Sequence, residues 1–224
     1  RTDQVIVASG FFREALADEL RSSQTFTSTF DGAAPLIVVP GFATGQESGR
    51  RAGQVRVYGV DDRFWQFHGV AAVAGPDERQ ALLSPALAEE LGSPPGSAVL
   101  VRVQRPTDIP LESVHGRKDD LGRTLRLTVR AVVSAADLGE FSLEAQQGDV
   151  RALFVPLSQL QEELEVGSRV NTILVSASAA AGEGGVAVAF SAEVAVADGD
   201  GTGVSVGRGV DVGTAVAVGA VVGT

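Results

Sequence analysis

The sequence contains neither cysteine nor methionine among its 224 residues. The absence of cysteine excludes disulfides, zinc–thiolate sites and cysteine nucleophiles. Because there is no initiator methionine and the chain starts at Arg1, we expect a module from a longer exported or membrane-anchored protein. No run of about 18 apolar residues is present to span a bilayer, and no stretch near the start resembles a signal-peptide core.

Basic residues are scarce. Lysine and arginine total 18 against 28 acidic residues, which gives a net charge of −10. The densest basic points are Arg50–Arg51 and Arg117–Lys118, and the second is followed at once by Asp119 and Asp120. Since nucleic-acid binding requires a clustered basic face, we expect no nucleic-acid partner.

Apolar periodicity predicts three helices. Phe12, Leu16 and Leu20 recur every four residues and indicate a helix over residues 11–21. Ser84 followed by Pro85 is typical of a helix start, and that helix should end at Gly92. A third helix is predicted to begin after Pro156, over the sequence LSQLQEELE.

Alternating or short apolar runs predict the strands, which cover residues 36–39, 53–60, 98–105, 123–133, 150–155 and 170–176. Because strands and short helices alternate irregularly and several strands have one polar face, we expect an α+β fold with mixed or antiparallel sheets. Residues 1–176 should form the main region, with room for two subdomains. Residues 177–224 form a Gly/Ala/Val-rich β tail, in which glycine weakens the specification of strand register.

Two motifs resemble enzyme or metal sites. Residues 203–207 match the G-x-S-x-G pattern around Ser205, but the sequence that follows disfavours a helix, and both histidines precede the serine. Residues 198–203 begin like a calcium loop, yet Gly209 stands where the bidentate glutamate should be. We therefore expect a chance match around Ser205 and a glycine-rich turn with solvated aspartates at residues 198–203. We assign no catalytic, cofactor-binding or metal-binding residue.

Two further groups carry the candidate binding residues. His115 lies among charged residues and suits a general base, a metal ligand or a salt-bridged surface or hinge loop. The rings of Tyr58, Phe64, Trp65 and Phe67 suit either a ligand platform or a core joint between strand and helix. The acidic pair Asp61–Asp62 suits the cap of a short helix that carries these rings, and His68 suits a packed or capping role. The candidate partner or substrate surface comprises Phe64, Trp65, Phe67, His115, Arg117 and Lys118.

An ordered series of short motifs resembles a known family. Residues 57–65 read VYGVDDRFW and residues 82–92 read LLSPALAEELG. This order, followed by strands at 99–103 and 125–132 and a strand-to-helix step at 154–157, resembles the periplasmic core domain of MacB/FtsX-like ABC transporter permeases. The resemblance covers residues 1–176, and the sequence departs from the family pattern after residue 177.

The resemblance implies a domain outside the cytoplasmic membrane, between the first and second transmembrane helices of a permease. Such a domain has no catalytic residues or cofactor. It transmits conformational change or holds substrate for efflux or lipoprotein release. Its implied partners are the permease's own membrane helices, a cytoplasmic ATPase subunit acting indirectly, and a second permease copy.

Two alternatives from other classes stay open at this point. One is a secreted hydrolase or metal-dependent enzyme that uses His115 or Ser205. The other is an adhesion or carbohydrate-binding module that uses Trp65.

Overall fold

A computed structural model describes residues 2–70, 75–104, 122–144 and 148–178. Its strands are β1 (Gln4–Arg13), β2 (Phe30–Gly45), β3 (Arg51–Val60), β4 (Gln80–Leu83), β5 (Ala98–Gln104), β6 (Gly122–Val132), β7 (Ala152–Pro156) and β8 (Arg169–Ala177). Its helices are α1 (Leu16–Ser22), α2 (Gln24–Thr27), α3 (Asp62–Phe67), α4 (Pro85–Leu91) and α5 (Leu157–Leu164), and a short 3₁₀ turn covers Ala135–Asp137.

Six strands close into a barrel in the order β2-β3-β7-β4-β6-β5, because β5 pairs with β2 as well as with β6. The β3–β7 and β4–β6 pairs are parallel, and the other pairs of the ring are antiparallel. Outside the ring, β8 pairs with β1 on one side and with β2 on the other. The predicted fold class, mixed sheets with a few short helices, is confirmed.

Strand β2 belongs to both groups of strands. Its first half pairs with β8 as far as Leu36 opposite Thr172, and its second half pairs with β3 from Ile37 opposite Gly59. The strand is 16 residues long, whereas the sequence predicts only residues 36–39. Pro35 and Pro40, on either side of the predicted run, are both accommodated within the strand.

Two apolar clusters form the core. The first joins residues from all six barrel strands to leucines of α4 and α5, and includes Ile37, Val57, Ala81, Val101, Leu127, Leu153, Leu91 and Leu160. The second lies on the other side of β3 and β7 and is covered by α3; it includes Tyr58, Leu82, Phe154, Phe64 and Trp65. As the alternation in β6 predicts, Leu125, Leu127 and Val129 are buried, whereas Arg126 and Thr128 are exposed.

The predicted helix over residues 11–21 is wrong at its start. Phe11, Phe12 and Arg13 end strand β1, and helix α1 begins at Leu16. The side chains of Phe12 and Leu16 both pack into the first core cluster. A strand end and a helix that face the same core therefore produced the four-residue spacing of a single helix.

The predicted ends of α4 are confirmed. Ser84 caps its first turn, and Gly92 closes it with a φ of 58°. Within the described ranges, no helix has both the length and the apolar character needed to cross a bilayer. The structure describes the chain as far as Ser178, so the predicted tail beyond that residue lies outside the described part.

Candidate functional site at the junction of the two strand groups

The side chain of Asn171 joins the two strand groups where β2 changes partners. Its Nδ2 donates to the carbonyl oxygen of Val38 at 2.8 Å, and the Val38 N–H donates to its Oδ1 at 2.9 Å. The hydroxyl of Thr172 donates to the same Oδ1 at 3.2 Å. Since the backbone ladder between β2 and β8 ends at Leu36, the carboxamide replaces the next backbone partner and satisfies both polar groups of Val38.

A second junction is centred on Arg63 of α3. Asp61 accepts from the Arg63 N–H and from its Nε, each at 2.9 Å, so one carboxylate both caps the helix and holds the guanidinium. The guanidinium also donates to Glu14, in the turn between β1 and α1. Glu14 accepts a further hydrogen bond of 2.8 Å from Gln161 on α5. Together these contacts link the end of β1 to α3 and α5.

The charge of Arg63 is stabilised by this geometry. Burial disfavours the charged guanidinium, but its hydrogen bonds to the Asp61 and Glu14 carboxylates, together with their negative charge, outweigh that cost and raise the pKa of Arg63 above the usual value. The side chains of Arg63 and Glu14 are 22% and 23% exposed, which reduces solvent screening relative to a surface pair. The guanidinium of Arg63 therefore stays charged at the centre of this cross-link.

The start of β1 and the end of β8 lie side by side. Gln4 is opposite Val175, and the Asp3 N–H donates to the Val175 carbonyl oxygen at 3.0 Å. The Asp3 carboxylate in turn accepts from the Ala177 N–H at 2.8 Å. Both strands thus approach the barrel from the same side of the fold.

Of the predicted aromatic group, Tyr58, Phe64 and Trp65 are buried in the core, and Phe67 is half-buried. Phe64 is 0% exposed and Trp65 is 3% exposed, and both pack against Phe154. Tyr58 stacks on the same ring at 5.3 Å, and burial raises the pKa of Tyr58 to about 12. The placement of Phe64 and Trp65 on a partner surface is therefore corrected: they form the core joint. The burial of Trp65 also removes the platform that a carbohydrate-binding module would need.

Phe67 and His68 lie at the end of α3. Phe67 is half-buried and packs over Gly32 of β2, where an added Cβ would lie 3.2 Å from the ring. His68 is the C-cap of α3, and its ring lies 4.9 Å from Phe64 and 5.3 Å from Phe141. Burial lowers the pKa of His68 to about 4. The packed and capping roles predicted for this histidine are both confirmed.

The remaining sequence candidates lie outside the described residues. These are His115, Arg117 and Lys118, the Ser205 motif, and the calcium-like turn at residues 198–203. Within the part of the chain that the structure describes, no group of three or more histidine, aspartate or glutamate side chains is arranged to hold a metal ion.

Sequence reasoning missed Asn171 and the role of Arg63. Asn171 and Val38 are 133 positions apart, and Arg63 and Glu14 are 49 apart. The available signals were an asparagine within a mainly apolar strand for Asn171 and the DDR sequence for Arg63. Asp61 was correctly predicted as a helix cap, but its second contact, with the Arg63 side chain, was not.

The family model for the MacB-like periplasmic core domain matches residues 2–200. The chain belongs to this family. The MacB-like motifs in residues 57–65 and 82–92 therefore identified it correctly, and the chain is an extracytoplasmic domain of an ABC transporter permease. No curated protein matches the sequence.

Two solved structures are similar to this MacB-like domain. The periplasmic region of MacB from Actinobacillus actinomycetemcomitans shares 13% identity with a TM-score of 0.46, covering 80% of this chain and 75% of that one. The extracellular domain of the noncanonic ABC-type transporter YknZ from Gram-positive bacteria shares 14% identity with a TM-score of 0.48, covering 80% of this chain and 86% of that one.

Proposed function

We propose that this domain transmits conformational change from the permease's membrane helices to its extracytoplasmic barrel and performs no catalysis itself. The observation that carries the proposal is the shared strand β2, which pairs with β8 over one half and with barrel strands over the other. A displacement of the β1–β8 pair reaches the barrel along a continuous backbone, with no loop between the two strand groups.

The input side of the domain is the β1–β8 pair. In the arrangement implied by the family, membrane helices of the same permease connect to β1 and to the segment that follows β8. Because the two strands are antiparallel neighbours, a movement of either helix shifts both strands together. A cytoplasmic ATPase subunit supplies the energy through those helices, and the domain faces the periplasm or the cell exterior.

Two cross-links make the connection stiff. Asn171 fixes β8 to Val38 where β2 changes partners. Arg63 ties the end of β1 to α3, while Gln161 of α5 joins the same network through Glu14. Buried and partly buried polar contacts of this kind resist deformation because breaking them leaves desolvated groups without partners. The barrel should therefore follow the β1–β8 pair as one body.

The barrel is the output side, where substrate is held or a partner engaged during efflux or lipoprotein release. A second permease copy is a further expected partner. We assign residues 1–176 to the transmitting core and residues 177–224 to the tail that returns toward the membrane.

The test is the height of the barrel above the bilayer during the ATP cycle. Glu47 is exposed in the turn between β2 and β3, at the far end of β2 from β8. Since the chain has no cysteine, a cysteine at Glu47 can carry a donor dye once cysteines elsewhere in the full-length transporter are replaced. Energy transfer to acceptor-labelled lipids in a nanodisc then reports the distance.

We expect energy transfer to differ between the nucleotide-free and the vanadate-trapped transporter. The control is a transporter that binds but cannot hydrolyse ATP, measured with ATP and without vanadate. It separates the effect of ATP binding from effects that depend on turnover. Equal energy transfer in the nucleotide-free and trapped states of an active transporter would rule out transmission to the barrel.

A further inference from the structure

One part of the barrel's outer face has no covering element among the described residues. The face on β3 and β7 is covered by α3 and the aromatic cluster. On the second half of β2 and on β5 and β6, the outward side chains are exposed or half-buried. Phe42 lies here and is 56% exposed, the most exposed large hydrophobic side chain in the described part of the chain. We call this face, defined by Phe42, Arg51, Leu100, Arg102 and Arg126, the arginine face.

The backbone next to Phe42 is irregular. The register of β2 against β3 shifts between Gly41 and Ala43, so that Gly53 and Gln54 both face Phe42. This is a β-bulge, a feature that redirects side chains at functional surfaces. Gln54 has a φ of 53°, in the left-handed region that residues other than glycine rarely adopt. An added Cβ at Gly53 would lie 3.8 Å from the Phe42 ring, which therefore rests against the bulge.

Three arginines lie on the same face of the barrel as this ring. Arg102 of β5 is opposite Phe42, and Arg126 of β6 is opposite Leu100. Arg51 lines the same groove, whose volume is about 660 Å³. Arg51, Arg102 and Arg126 make no ion pair with any described residue, although the chain carries a net charge of −10. By contrast, Arg13, Arg56, Arg63 and Arg151 are all paired with carboxylates.

We propose that the arginine face docks an acidic segment of a protein partner. An apolar side chain of that segment packs on Phe42, and its carboxylates pair with Arg51, Arg102 and Arg126. The guanidinium fork matches a carboxylate, and aromatic and arginine side chains are enriched at protein interfaces. Charge complementarity favours an acidic occupant, because the three arginines of this face have no carboxylate partner among the described residues. The surface is a property of the barrel and does not depend on transmission.

The probe is a fluorescein-labelled peptide of alternating glutamate and leucine residues, titrated with the 224-residue chain and followed by fluorescence anisotropy. A lysine–leucine peptide of equal length is the probe control. The face variants are Phe42→Ala and the double variant Arg102→Gln/Arg126→Gln. Arg13→Gln/Arg21→Gln is the matched control, since it removes the same two charges from another surface. Circular dichroism and urea midpoints verify that each variant folds.

We expect the acidic peptide to bind and the basic peptide not to bind. The double variant should weaken binding about tenfold, and added salt should weaken it further. The matched control should bind like the parent chain. The proposal is overturned by equal binding of the two peptides, or by face variants that bind as well as the parent. Absent peptide binding also overturns the proposal if the parent chain self-associates in sedimentation velocity, or binds phosphatidylglycerol vesicles, and Phe42→Ala abolishes that association or binding. Those results would assign the face to a second copy or to a membrane.

Discussion

Substituting Asn171→Ala removes the cross-link at the point where β2 changes partners. Both backbone polar groups of Val38 lose their hydrogen-bond partner, because Asn171 accepts from the Val38 N–H and donates to its carbonyl oxygen. Asn171 is buried, so water replaces these contacts only in part. With about 1–3 kcal/mol for each unsatisfied buried group, the free energy of unfolding should fall by about 2–4 kcal/mol.

The assay is urea unfolding of the 224-residue chain, with hydrogen exchange read by mass spectrometry over the peptide that contains Val38. The matched control is Thr172→Val. Thr172 is adjacent and is more deeply buried than Asn171, with exposures of 2% and 9%. It makes one hydrogen bond to the Asn171 Oδ1, which the Val38 N–H also reaches. Thr172→Val should lower the free energy of unfolding by about 1 kcal/mol. Hydrogen exchange of the Val38 amide should stay slow in this variant.

The reasoning is refuted if Asn171→Ala lowers the free energy of unfolding by no more than Thr172→Val does. It is also refuted if the Val38 amide stays equally protected in both variants, since the carboxamide would then contribute nothing to the junction. A change in the urea m-value would indicate instead that the unfolded state or the cooperativity had changed.

Three further predictions concern single residues. Ser84→Ala should lower the free energy of unfolding by about 2–3 kcal/mol, because the buried Ser84 hydroxyl accepts from the N–H groups of both Leu87 and Ala152. Gly92→Ala should lower it by about 1–2 kcal/mol, because Gly92 ends α4 with a φ of 58°. The pKa of His68 is lowered to about 4, so the unfolded state binds more protons as pH falls from about 6.5 to 4 and stability decreases. His68→Phe should therefore reduce the stability lost between pH 7 and pH 4, by about 1–2 kcal/mol after allowance for partial exposure.

Urea unfolding measures all three. Ser134→Ala is the control for Ser84, because Ser134 caps an exposed 3₁₀ turn. If the two variants lose the same free energy of unfolding, the claim that Ser84 is stabilising as a buried acceptor of two hydrogen bonds is contradicted. An unchanged midpoint in Gly92→Ala would contradict the backbone argument. For the histidine, unfolding curves at pH 7 and pH 4 that respond alike in the parent and in His68→Phe would contradict the shifted pKa.

The barrel strands were largely predictable because their signals are local. The alternation in β5 and β6 follows from one buried and one exposed face, and Ser84 and Gly92 mark the ends of α4 in the sequence itself. Helix α3 was predicted from its acidic start and its rings. By contrast, β4 has only four residues, too few for a periodicity to be recognised.

The junctions could not be predicted because they depend on contacts between distant parts of the chain. Nothing local marks Asn171 as the partner of Val38, or Glu14 as the partner of Arg63. The alternation along β2 is also obscured, because its two halves pair with different strands and bury different faces. The exposure of Phe42 and the burial of Trp65 likewise depend on which barrel face α3 covers.

The most direct test of rigid coupling through β2, on which the transmission proposal depends, is the distance between spin labels at Thr25 and Glu47 in the full-length transporter. Thr25 is exposed on α2, beside the first half of β2, and Glu47 lies beyond the other end of that strand. We predict one narrow distance distribution, identical in the nucleotide-free and vanadate-trapped states, that broadens in Asn171→Ala. A distance that is broad, or that changes with nucleotide, in the parent transporter would contradict rigid transmission through β2.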